Sequence, residues 1–251
     1  MIQCMKKLLV ITSLFIWNFA AFGQQSNSAD AGEKALAQAC ISGNAQAIQS
    51  AAMELAKTAA YGADRLEYAS NLLSSVEVNG VLFTGGKGDT YPVLVLQYLK
   101  SMRTDVRVVH VDWMSDAAYF QSLQAAVGIE KNSASGIRAL SRKTPVYISL
   151  AANADLIGEL ESELYCTGLA FKCSAAPLSN VKVMYKEWWQ KCGKSFMSSG
   201  YSLNANYLVS LAMLADYARE IGHSKEYSVI KQKYAEVAKS VGEKEQLPTI
   251  K

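Results

Sequence analysis

The chain has 251 residues, half of them apolar and 19% charged, with 25 Lys and Arg against 22 Asp and Glu. That composition excludes a disordered tail, a collagen-like fibre and a coiled-coil rod, and leaves one or two globular domains. Lys6 and Lys7 lie in a first stretch of 23 residues that has no acid, so the remainder is nearly neutral and offers no electrostatic case for nucleic acid or an anionic membrane surface.

Residues 1–23 read as a secretory signal. Lys6-Lys7 form the charged region, Leu8 to Phe22 the apolar stretch, and Ala21-Phe22-Gly23 places small residues at −3 and −1 before Gln24. A retained anchor is the alternative, but the stretch is shorter than the roughly 20 residues a span needs. After cleavage the chain is expected in the periplasm or outside the cell, with no membrane span. Cys40, Cys166, Cys173 and Cys192 then remain, an even count compatible with disulfides in an exported protein. Cys166–Cys173 is the preferred pair, and four unpaired thiols are the alternative. No metal site is expected, because there is no C-x-x-C pair and His110 and His223 are the only histidines.

Residues 24–32 read as a flexible leader. Helices are expected near 30–41, 44–58 and 63–75, with breaks at Ser42-Gly43-Asn44 and Gly62. Val81-Leu82-Phe83 then reads as a buried strand between Asn79-Gly80 and Gly85-Gly86, Val106–Val111 as a second and Pro145–Leu150 as a third. Leu169-Ala170-Phe171 is a weaker fourth. The intervening segments near 90–102, 115–128 and 154–165 suit crossover helices, which implies an α/β fold with a mostly parallel, Rossmann-like sheet of about four strands flanked by helices. Tyr91–Leu96 is β-rich, but Asp89 or Thr90 can cap a helix, Pro92 suits a first turn, and a parallel connection needs a crossover.

Helices return after Pro177. Trp188-Trp189 lie near 181–197. Tyr207, Leu211, Leu214, Ala218 and Ile221 line one helix face, Gly222 breaks the chain, and Tyr227, Ile230, Tyr234, Val237 and Val241 line the next, a pair like one tetratricopeptide hairpin. The expected domains are 33–177 for the α/β part with its N-terminal helices and 178–251 for the C-terminal helical region.

In open parallel sheets, ligands gather beyond the carboxyl ends of the strands. That rule selects Thr84, Gly85, Gly86, Lys87, Asp89 and Thr90 after the first strand, Asp112 and Trp113 after the second, and Ser149 and Asn153 after the third. Such a loop suits a sugar, a phosphate or a carboxylate. The same three glycines and capping side chains are also what a tight strand-to-helix turn needs with no ligand. The loop matches neither the P-loop nor the dinucleotide fingerprint, and no cofactor is implied. His110 sits in an apolar run, as buried structural histidines do. No nucleophile motif occurs, so no catalytic residue is assigned.

Tyr68–Leu73, Asn79–Pro92, Leu96-Gln97-Tyr98 and Arg103–Val109 together carry a resemblance. They look like the signature block in the soluble C-terminal region of the protein O-mannosyltransferase-like family of bacterial multi-pass membrane proteins, whose sequences are common in Bacteroidetes-like bacteria. The family's loop usually reads Thr-Asn-Gly-Asp-Asn-Asp-Thr-Phe-Pro. Here Gly85 and Gly88 replace the amides and Lys87 replaces an acid. The membrane region in which transfer is expected is missing, so transferase activity does not carry over. The resemblance implies a free-standing relative of the soluble part. Three roles follow as expectations: an exported, non-catalytic envelope module that binds a small polar ligand or a partner protein, a periplasmic enzyme acting on sugars or phosphate esters, and a scaffold that docks through its terminal hairpin.

Overall fold

A computed structural model describes residues 27–58, 61–193, 196, 199–243 and 247. The signal segment and the start of the leader lie outside these residues. Residues 27–32, expected to be loose, are instead the first turns of helix α1, Asn27–Ser42. Helices α2, Ala45–Ala56, and α3, Ala63–Ser74, follow. Asn44 caps α2 by accepting from Ala47 N–H at 3.0 Å.

The α/β part runs β1 Val81–Thr84, α4 Lys87–Lys100, β2 Arg107–His110, α5 Ala117–Val127, α6 Ala134–Leu140, β3 Val146–Ser149, α7 Ala154–Leu160, β4 Leu164–Cys166 and β5 Ala170–Cys173. Among the described residues the sheet has five strands in the order β2-β1-β3-β5-β4. Strand β1 is parallel to β2 and β3, whereas β5 is antiparallel to both β3 and β4. The expected α/β class therefore holds as a helix-rich fold around one mixed sheet, and the expected fourth parallel strand does not. Only Thr167, Gly168 and Leu169 join β4 to β5, and a parallel pair would need a crossover of a dozen or more residues. Strands β1 and β3 are buried along their whole length, as central strands covered on both faces must be.

The C-terminal part contains α8 Asn180–Met184, a π-helical run Tyr185–Gly193, a 3₁₀ turn Ser202–Asn206, α9 Tyr207–Glu220 and α10 Ser224–Val241. Helices α9 and α10 pack along each other. Tyr207, Leu211, Leu214 and Ala218 are buried as expected, but Ile221 is 40% exposed because α9 has ended before it. Trp188 and Trp189 are both buried. The wider π turn brings adjacent side chains toward one face, and each indole N–H finds an acceptor: Trp188 donates to the Asn71 carbonyl at 3.2 Å and Trp189 to Glu226 Oε1 at 2.6 Å.

One main core runs from Tyr68 on α3 through the sheet to Val237 on α10, across the expected boundary at 177–178. Polar staples reinforce it. Asn71 Nδ2 donates to the Tyr207 hydroxyl at 2.8 Å, and Asn206 Nδ2 to that of Tyr68 at 2.9 Å. A second, smaller core joins Leu36, Ala39, Ile48 and Leu55 of α1 and α2 to Tyr91, Leu94 and Val95 on the outer side of α4. No helix among the described residues is long and apolar enough to cross a membrane.

Candidate functional site

The strand order places β1 between β2 and β3, so the carboxyl ends of β1 and β3 form the switch point at which open sheets usually leave a crevice. The bend after β1 occupies it. Thr84, Asp89 and Thr90 are fully buried there and Lys87 is exposed.

Each polar group of the bend has a partner within the chain. Helix α4 begins at Lys87 with Gly86 as its cap, rather than at Asp89 or Thr90. Asp89, in the third helical position, accepts from Gly86 N–H at 2.9 Å and Gly85 N–H at 3.2 Å, the acidic half of a capping box. Burial pushes its carboxyl upward, opposed by a hydrogen bond from Ser149 and by these two amides. Thr90 donates to Thr84 Oγ1 at 2.8 Å, and Thr84 passes its own hydrogen to the Val109 carbonyl at 3.2 Å. Ser149 Oγ also accepts from Ala151 N–H, and Asn153 caps α7 through Asp155 N–H at 2.7 Å.

Two glycines allow the chain itself to fill the crevice. A Cβ on Gly85 would run into the Ala152 backbone of the loop after β3. A Cβ on Gly88 would stand 2.8 Å from both Leu203 Cδ1 and the Tyr201 hydroxyl. Lys87 faces α1, where Asp30 Oδ1 and Glu33 Oε2 each lie 3.0 Å from its ammonium, and these neighbours hold the lysine above its ordinary pKa. Glu33, only 1% exposed, also accepts from the Tyr61 hydroxyl at 3.0 Å.

His110 links the bend to the segment after β2. Asp112 N–H donates to its Nδ1 at 3.2 Å, and Trp113 stacks on the imidazole at 4.5 Å with planes 14° apart. Desolvation lowers the His110 pKa, while the charges of Asp89 and Asp112 pull the other way. Asp89 and Asp112 thus flank one neutral, buried histidine, but the Asp112 side chain is exposed whereas Asp89 is sealed. Trp113 is half-buried between the two cores.

The expected Cys166–Cys173 bridge is corrected: both are buried free thiols, as Cys40 is a free, partly buried one. Cys166 lies opposite Phe171 and Cys173 opposite Leu164, so the thiols are offset by two positions along the hairpin. Cys166 instead sits 3.5 Å from the Gly168 carbonyl and from Ser210 Oγ. No cluster of three or more metal-ligating side chains occurs among the described residues.

An open concavity lies elsewhere, and the sequence reading passed over it. A shallow cleft of about 410 Å³ is lined by Tyr185 and by Gly222, His223, Ser224, Lys225 and Glu226, between the π-helical run and the start of α10. The Tyr185 hydroxyl and His223 Nδ1 are 3.0 Å apart. Glu226 accepts from Trp189 rather than capping its own helix. The available signal was a histidine directly after the helix-breaking Gly222.

Residues 65–135 match the family model described as TMEM260-associated domain 2. No curated protein and no solved structure matches the chain. The matched segment covers α3, β1, α4, β2 and α5. Many of its polar side chains hold the fold together: Gln97 donates to the Arg103 and Val106 carbonyls, and Arg103 binds the Leu73 and Val76 carbonyls together with Asp105.

Proposed function

We propose that the chain is an exported, non-catalytic module of the cell envelope that engages a partner protein through its C-terminal helices. One observation carries this reading. At the three places where the bend departs from the mannosyltransferase-like pattern, the chain's own atoms take the space. Gly85 meets Ala152, Gly88 meets Tyr201 and Leu203, and Lys87 meets Asp30 and Glu33. Amide side chains at 85 and 88 have no room here, so the polar groups proposed for a sugar, phosphate or carboxylate are committed to folding.

The TMEM260-associated match is loosely consistent with the resemblance to the soluble part of bacterial multi-pass mannosyltransferase-like proteins. In this reading the 2-1-3 arrangement of parallel strands is a Rossmann-like remnant with a closed switch point. Export rests on the pattern of residues 1–23. Helices α9 and α10, read as a tetratricopeptide-like hairpin, present the Tyr185–Glu226 cleft with exposed Ile221 beside it and Val229 one turn along α10. Aromatic and apolar groups beside exposed charge are the usual makings of a protein contact.

A photo-crosslinking residue at Lys225, expressed in the native host, tests the proposal. It should trap one discrete adduct that the same residue at Lys143, on the α/β part, does not. Equal labelling from both positions, or none from Lys225, overturns the docking role of the C-terminal helices.

A further inference from the structure

We propose that the α1–α2 pair is a cover that opens as one unit while the α/β body stays folded, with the contact of Lys87 to Asp30 and Glu33 as its latch. The pair has its own small core, distinct from the main one. Along α1 the inward stripe reads Ala29, Glu33, Leu36 and Ala39, all buried, so an acid stands where an apolar residue would ordinarily pack. Its carboxylate is held within the cover by the Tyr61 hydroxyl and from outside by Lys87. Asp30, one turn earlier, joins the same ammonium.

The latch also lies on the axis of α4. Lys87 is the first helical residue, and the two carboxylates it draws in sit at the positive end of the helix dipole. Native proteins open locally in cooperative units with separate contact sets, and the pair meets that condition. Opening bares Tyr91, Leu94 and Val95 of α4 together with the Gly85–Gly86 bend, so the cover decides when that face is reachable.

Cys40 of α1 reports the event. It is partly buried against the second core, and burial lifts its thiol to about 12, whereas Cys166 and Cys173 lie in the main core. The full-length protein is treated with iodoacetamide under native conditions, and each cysteine is followed by peptide mass spectrometry. Cys40 should react at least about tenfold faster than Cys166 and Cys173. Lys87→Ala should raise the Cys40 rate on the order of tenfold and leave the other two unchanged. Glu33→Gln, which keeps the size of the side chain and its acceptor for Tyr61, should raise the Cys40 rate in the same direction. Hydrogen exchange should show peptides within 27–56 opening together and ahead of β1 and β3. A Cys40 rate indifferent to both variants, or three cysteines that accelerate together, overturns the proposal.

Discussion

The Tyr201 hydroxyl donates to the Gly88 carbonyl at 2.7 Å and so replaces a backbone bond that Pro92 cannot make. Proline has no N–H, and in the second turn of α4 it leaves the carbonyl four residues earlier without its helical donor. A side chain from more than a hundred residues downstream supplies one, which ties the bend to the segment that leads into α9.

Tyr201→Phe should therefore destabilise the protein by about 1–3 kcal/mol, the usual cost of a buried acceptor left unsatisfied. Pro92→Ala restores an N–H at that position. Urea unfolding of the two single variants and the double variant should show a smaller Tyr201→Phe penalty in the Pro92→Ala background.

Restoring the family's amides should harm rather than help. Gly88→Asn pushes against side chains that can shift, and should cost about 1–3 kcal/mol. Gly85→Asn meets the Ala152 backbone and should cost more, enough to lower yield as well as the thermal midpoint. A Gly85→Asn variant with the stability of the parent would show that the two loops are not in contact.

Asp89→Ala removes the acceptor for Gly85 and Gly86 N–H and the partner of Ser149. A loss of about 2–4 kcal/mol is expected from two orphaned buried amides and a lost cap, read as a lower denaturant midpoint with an unchanged slope. A loss of under about half a kcal/mol would remove Asp89 from the capping role.

Acid stability should carry the signature of Asp105. Arg103 hydrogen-bonds its carboxylate and Asn79 N–H adds a further bond, which hold its pKa at about 2 against 3.8 in the unfolded chain. The folded value is the lower one, so this stabilisation is complete above pH 3.8 and is lost as pH falls toward about 2. The pair is partly exposed and screened, so about 1 kcal/mol is expected. Asp105→Asn should flatten the stability profile in that window and leave its slope near neutral pH unchanged.

The strands β1, β2 and β3 and the helices α1 to α4 were legible because their runs are apolar, periodic and bounded by Gly, Asn or Pro. Strand β4 was not, since Leu164-Tyr165-Cys166 is too short to show alternation, and missing it also hid the antiparallel turn of β5. Helix α6, seven residues long, left as little trace. At the bend the residue types were read well and their roles were not. A lysine beside glycines looks like a ligand cradle until α1 supplies two carboxylates, and no local pattern shows that Asp30 and Lys87 will meet. Nor could adjacent tryptophans announce a π-helical run that buries both.

The central claim is that the crevice at the ends of β1 and β3 is closed by the protein itself. A thermal-denaturation titration of the full-length protein with inorganic phosphate, acetate and mannose tests it most directly. The account predicts a midpoint that stays flat to the highest concentration of each, in the parent and in Lys87→Ala alike. A saturable rise with one of them, abolished by Lys87→Ala or Asp112→Ala, would mean that the bend binds a ligand after all.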